Sequence, residues 1–181
     1  MTTPESNVSE RDAKSVAIVG RLIEMKGVHI ALEALATDCL NDWTIHIVGD
    51  GPMRLQLEEK AADLGLGGRA LFHGHVERKK VLEILSAVRC SLLLSTHDAA
   101  GWSAAESIAV GTPVVTWSHG GPAELVEQAS CGVVVQSQTA SVDAVASAIL
   151  ATEPHAVGSL QMFEFDGLIK DIRDWYDCAT E

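Results

Sequence analysis

Six short stretches of largely apolar, β-branched residues recur along the chain, at 15–19, 43–48, 69–72, 89–95, 112–117 and 132–136. They are apolar throughout instead of alternating with polar residues, the pattern of parallel strands covered on both faces. Between them the apolar positions fall at helical spacing. Val28, Ile30, Ala31, Leu32, Ala34 and Leu35 mark a first helix, and Leu55, Leu57 and Ala61 a second that Pro52 is placed to open. Further helices are predicted over 78–87, near 103–110, around Glu124 and Leu125, and over 142–151. Strand alternating with helix predicts a Rossmann-like, doubly wound α/β domain with a parallel six-stranded sheet. Residues 1–13 are polar and contain Pro4, and are expected to form a disordered tail. The single domain then runs over 14–181. A linker is expected over 153–158, and a terminal helix over 163–178 carries Leu168, Ile169, Ile172, Trp175 and Tyr176.

In such a sheet, ligands collect where a strand's carboxyl end gives way to a helix, because backbone N–H groups at the helix start favour anions. The stretch 95–121 has this layout, strand, polar loop, short helix and strand, and two carboxylates bracket its loop, Asp98 and Glu106. With Ser103 near the N-cap, Glu106 falls in the first helical turn, where it serves equally well as a capping-box glutamate or as a ligand group. The loop after the first strand, residues 20–27, places Arg21 and Lys26 at the same sheet edge. Arginine clamps phosphate oxygens bidentately and lysine acts as a point charge, so a diphosphate suits the pair; two solvated surface cations are the alternative.

Composition narrows the possibilities. A chain of 181 residues, 47% of them hydrophobic, suffices for one substantial core. The formal net charge of −12 argues against nucleic acid or an anionic membrane surface as a main partner, so any anion site is local. No apolar run is long enough to span a bilayer and the start lacks the layout of a secretory signal, which points to the cytoplasm. Cys39, Cys90, Cys131 and Cys178 stand singly and read as free thiols in a reducing compartment. His73 and His75 flank Gly74, a metal pair in principle, but alternation at a strand end explains them, and no metal is expected. Neither the Gly-x-Gly-x-x-Gly fingerprint nor the phosphate-loop motif occurs, so no nicotinamide or other cofactor is indicated.

Several motifs nonetheless follow one another in a recognisable order. They are Gly20-Arg21-Leu22 with Lys26-Gly27; residues 47–52, reading Ile-Val-Gly-Asp-Gly-Pro; residues 72–76, Phe-His-Gly-His-Val; Asp98 to Glu106 with Gly101 between; residues 111–115, Gly-Thr-Pro-Val-Val; and Gly120-Gly121 with Glu124. In order and spacing, over roughly residues 15–149, they resemble the carboxyl-terminal half of family 4 glycosyltransferases with the GT-B fold. The resemblance implies a domain that binds a nucleotide-sugar donor, with transfer to an acceptor hydroxyl in a cleft against a second, acceptor-binding half and with retention of anomeric configuration. It implies that Arg21 and Lys26 hold the donor diphosphate and that Asp98 lies near the donor sugar. Glu106 would accept from the ribose hydroxyls. The backbone of Gly20 and of Gly101, Trp102 and Ser103 would approach phosphate or sugar, and Val76 and Arg78 would lie near the base.

The chain departs from the family pattern at three places. Asp98 stands where the family has glutamate, Ala99-Ala100 where it has Gly-Phe, and Ser107-Ile108-Ala109 where Ala-Met-Ala is common. The acceptor-binding half is expected from an amino-terminal domain or a companion chain, and without it the isolated chain is expected to be inactive. The rival reading is a non-catalytic nucleotide-sugar binding or regulatory module. A sugar-nucleotide epimerase finds no acid/base set here.

Overall fold

The structure, a computed structural model, describes residues 11–97, 101–136 and 141–153. Asp98, the terminal helix expected over 163–178 and nearly all of the expected linker lie outside the described residues. In chain order the elements are β1 (Asp12–Val19), α1 (Val28–Leu35), β2 (Thr44–Val48), α2 (Arg54–Asp63), β3 (Ala70–Gly74), α3 (Arg78–Ala87) and β4 (Val88–Leu93). They continue with α4 (Trp102–Ala109), β5 (Val114–Trp117), α5 (Gly121–Ala129), β6 (Gly132–Val135) and α6 (Val142–Ala151). The strands form one parallel sheet in the order β3-β2-β1-β4-β5-β6. This is the doubly wound arrangement, and its order reverses between β1 and β4, where a crevice opens at the carboxyl edge.

Alternate residues of each strand feed opposite faces. Val16 and Ile18 of β1 join Ile45, Ile47 and Leu92 under α1, α2 and α6, with Leu32, Leu35, Leu57 and Ile149 fully or almost fully buried. Ala17 and Val48 turn to the other face beneath Ile84 and Leu85 of α3, and Leu93 and Val114 meet Ile108 of α4 and Val126 of α5. Each such leucine or isoleucine contributes about 1.5–3 kcal/mol by leaving water. The apolar strand runs are therefore a consequence of two-sided burial, and they place the sheet rigidly under its loops.

Several boundaries differ from expectation, among them the start of β5 at Val114 and the end of β3 at Gly74. Strand β1 starts at Asp12, and Arg11, expected in the tail, is buried. Its guanidinium donates to the carbonyl of Val110 at 2.6 Å and to the Thr112 hydroxyl, so the segment just before the sheet is tied to the loop ahead of β5. Burial lowers the Arg11 pKa. Pro52 does not open α2. The Met53 N–H is used by the Leu22 carbonyl and the helix begins only at Arg54, so the proline sits in the preceding turn. Leu94 and Ser95 lie past the end of β4 but remain buried. Helix α6 opens on Ser141, whose hydroxyl accepts from the Ala144 N–H at 3.3 Å.

Cys90 and Cys131 are buried free thiols, pushed up by burial to about 12 and about 11, whereas Cys39 is exposed. His46 and His73, on the neighbouring strands β2 and β3, stack with ring centroids 5.2 Å apart and share a hydrogen bond of 3.0 Å between Nδ1 and Nε2. Burial holds both below the ordinary histidine value of 6.5; for His46 the second ring adds to this. The unfolded chain thus binds protons before the folded one does. Stability is fully present above the unfolded pKa and is lost as pH falls through it. The melting temperature is expected to drop from about pH 7 to about pH 5.5, and to drop less in His73→Asn. An equal drop in the variant would remove the pair from the explanation.

Candidate functional site

The loops leaving β1, β2 and β3 are joined to one another through their backbones. The Gly20 N–H donates to the Val48 carbonyl at 2.9 Å, Leu22 to Asp50 at 2.9 Å, and Gly49 to Gly74 at 2.8 Å. On the other side the Thr96 N–H donates to the Met25 carbonyl at 2.9 Å, which ties the first loop to the end of β4. Glycines at 49 and 51 let these backbones approach closely, since a Cβ at 49 would lie 1.9 Å from the Gly20 carbonyl oxygen and one at 51 would lie 2.4 Å from that of Leu22. The result is a cleft of about 660 Å³ along the carboxyl edge, a size that accommodates a nucleotide.

Of the residues singled out from the sequence, Gly20, Arg21, Val76, Arg78 and Glu106 come together as lining of this cleft. Lys26 lies beside it, in a narrow crevice that shares Val19 and Gly20 with the cleft. The Lys26 stem runs over Gly20, within about 4 Å of where a Cβ on that glycine would be. Arg21 is exposed and Lys26 half-buried. Asp98 lies outside the described residues. Gly101, Trp102 and Ser103 do not line the cleft; they form the start of α4, beside the helix face that carries Glu106.

Helix α4 rules out the capping-box reading of Glu106. Its N-cap is Gly101, in the left-handed conformation at φ 61°, and not Ser103, and its first turn contains no acidic residue. A side chain at 101 would press on Pro122 and Leu125 at 3.1–3.2 Å, so glycine is required by both conformation and space. Glu106 lies too far along the helix for a capping box. Its carboxylate instead receives the Arg78 Nε at 3.3 Å, across from the first turn of α3. With its side chain only 11% exposed, burial pushes the Glu106 pKa up, and the Arg78 charge and hydrogen bond partly offset this.

Asp50, His75, Glu77 and Val81 also line the cleft and were not among the expected site residues. Asp50 accepts from the Gly51 N–H at 2.7 Å and from Arg54 at 3.2 Å, which hold its carboxyl below the usual value. Its place in the Gly-Asp-Gly-Pro motif was the available signal. The Arg78–Glu106 pair joins residues on different helices, and nothing local in the sequence announces it. Overall the chain carries 25 acidic against 13 basic residues, yet two of the three carboxylates lining the cleft, Asp50 and Glu106, are each engaged by an arginine. The arrangement therefore offers a cationic end at Arg21 and Lys26, an oriented carboxylate at Glu106, and an apolar wall at Val76 and Val81.

Comparison with known proteins agrees in fold and family. The family model described as "Glycosyl transferases group 1" matches residues 2–155. The chain is 34% identical over 113 residues to a 2-deoxystreptamine glucosyltransferase of Streptomyces kanamyceticus, covering 61% of this chain and 29% of that protein. It is 36% identical over 124 residues to the lipopolysaccharide core biosynthesis glycosyltransferase LpsE of Rhizobium meliloti, covering 68% and 35%. Among solved structures, Anabaena HepE in complex with UDP and glucose superimposes with a TM-score of 0.67 at 28% identity, covering 82% of this chain and 42% of that one. The chain thus spans about a third of the length of the curated relatives it matches.

Proposed function

Because the chain belongs to the group 1 glycosyltransferases, we propose that its cleft binds the nucleoside diphosphate of a nucleotide-sugar donor, as the donor half of a retaining transferase. The observation that carries this is the convergence of Arg21, Arg78 and Glu106 on one cavity with Lys26 at its end. HepE, which shares the fold, has been seen with UDP and glucose in place. In this reading the base lies toward Val76 and Val81, the ribose hydroxyls donate to Glu106, and the diphosphate lies toward Arg21 and Lys26. The negative charge that grows on the departing diphosphate as the anomeric C–O bond breaks is met by these fixed cations, which need no reorganisation at that moment. Asp98 is assigned to the donor sugar by its position in the motif.

Transfer also requires the acceptor hydroxyl to be held in near-attack geometry with water excluded, and a single sheet edge supplies one wall of such a site. The acceptor wall is assigned to a second domain, and these 181 residues by themselves bind donor without sustained turnover. The Asp98 substitution favours a second reading, a binding module without catalysis. A product assay with labelled nucleotide sugars, in the presence of an acceptor-binding domain, separates the two: transfer abolished by Lys26→Ala supports the enzyme, and binding without any transfer supports the module.

The role of Glu106 has its own test. Ribose hydroxyls donate to a carboxylate, so Glu106→Gln is expected to weaken nucleoside diphosphate binding by about 1.5–3 kcal/mol, and a 2′,3′-dideoxy nucleotide to bind poorly to the unaltered chain. Because burial raises the Glu106 pKa, affinity should fall on acidification at a higher pH than an ordinary glutamate would cause. Equal affinity for ribo- and dideoxynucleotides would leave Glu106 as no more than the partner of Arg78.

A further inference from the structure

Arg78 and Glu106 both line the cleft, but they reach it from different helices, Arg78 from the start of α3 and Glu106 from the middle of α4. The Arg78 Nε–H donates to Glu106 Oε1 at 3.3 Å, and the glutamate side chain is 11% exposed against 32% for the arginine. The carboxylate is thus the more deeply withdrawn of the two. A carboxylate short of water tends to take up a proton, and once neutral it accepts hydrogen bonds poorly.

The charges around Glu106 single out its partner. Helix α4 carries no second titratable side chain. On α3 the remaining charges are Lys79, Lys80 and Glu83, on α5 they are Glu124 and Glu127, and the cleft adds Arg21, Asp50, His75 and Glu77. Among the described residues, Arg78 is the one whose charge and hydrogen bond act on the Glu106 pKa, and both lower it against the effect of burial. The bond also fixes direction, because a carboxylate anchored at one oxygen has fewer orientations open to it. An ionised carboxylate has about four lone-pair positions, so one bond to Arg78 leaves acceptor capacity for a pair of hydroxyls.

We propose that Arg78 is a positioning residue, whose Nε–H holds the Glu106 carboxylate in place for the ribose hydroxyls of the nucleotide. This rests on the nucleotide-sugar reading of the cleft. It gives Arg78 a role through Glu106 in place of the contact near the base that the resemblance implies. A binding group is useful only when its own orientation is locked by a neighbour, and here the neighbour comes from a separate helix.

The test is competition against a fluorescent nucleotide by UDP, GDP and ADP and by their 2′,3′-dideoxy counterparts, from about pH 5 to about pH 8, a span that covers an upward-shifted carboxylate. The proteins are the unaltered chain, Arg78→Met, Arg78→Lys, Glu106→Gln and the double variant Arg78→Met with Glu106→Gln. For the diphosphate that binds best, Arg78→Met is expected to narrow the preference for ribo over dideoxy by roughly tenfold. Its affinity should also be lost on acidification at a higher pH than that of the unaltered chain. Arg78→Lys keeps the charge without the Nε donor, and its acid limb should lie closer to that of the unaltered chain. In the Glu106→Gln background, Arg78→Met should narrow the preference no further. An equal loss for ribo- and dideoxynucleotides in both Arg78 variants, or an effect of Arg78→Met on the preference that persists without Glu106, would overturn the positioning role and leave the cleft assignment standing. So would unchanged affinities with only a lowered melting temperature. Failure of the unaltered chain to bind any of the three diphosphates would overturn the cleft assignment itself, and this inference with it.

Discussion

Gly49→Ala is expected to destabilise the fold by roughly 2–4 kcal/mol and to abolish nucleotide binding together with it. A Cβ at this position would lie 1.9 Å from the Gly20 carbonyl oxygen and 2.9 Å from its carbon, and the residue's φ of 134° is one that side chains rarely adopt. Neither backbone has room to yield. Gly49 donates to Gly74, and Gly20 donates to Val48, so moving either loop breaks the bonds that hold the cleft floor together. Urea denaturation followed by circular dichroism measures the loss. A variant as stable as the unaltered chain would mean that the three loops are not joined as described.

Removal of the cations should act on the ligand and spare the fold. Arg21→Ala and Lys26→Ala are each expected to weaken nucleoside diphosphate binding by about 1.5–3 kcal/mol, roughly tenfold to more than a hundredfold, the scale of a hydrogen bond to a charged group. Arg21 is exposed and Lys26 half-buried, so neither supports the core, and melting temperatures without nucleotide should stay within a few degrees. Because both contact one diphosphate, their effects should not simply add in the double variant. Competition against a fluorescent nucleotide gives the affinities. Unchanged binding in both single variants would return Arg21 and Lys26 to the status of solvated surface cations.

Much of this architecture was legible from apolar patterning alone, because burying both faces of a parallel sheet writes itself into the strands. The β-branched runs marked all six strands, and the limits of α3 and α6 coincide with those expected, 78–87 and 142–151. Boundaries that depend on tertiary partners were not legible. Arg11 reads as a polar tail residue until its contacts with Val110 and Thr112, distant in sequence, are seen. Pro52 is a sound helix opener by propensity, but it lies in the turn that the Arg54 N–H closes on the Gly51 carbonyl, just ahead of α2.

The site divides in the same way. Arg21, Val76, Arg78 and Glu106 were found through motif order, and the fold brings them into one cleft. The capping-box reading of Glu106 depended on α4 beginning at Ser103, and the helix instead begins after Gly101, a difference of two residues that propensity does not resolve.

The central claim is that the cleft lined by the loops after β1, β2 and β3 together with Arg78 and Glu106 holds a nucleoside diphosphate, and calorimetric titration of the unaltered chain with UDP, GDP and ADP tests it most directly. The account predicts saturable binding of at least one of them at one site per chain, tighter than its monophosphate and weakened by Lys26→Ala. Absence of binding by all three, or binding that is indifferent to the second phosphate and to Lys26, would contradict it.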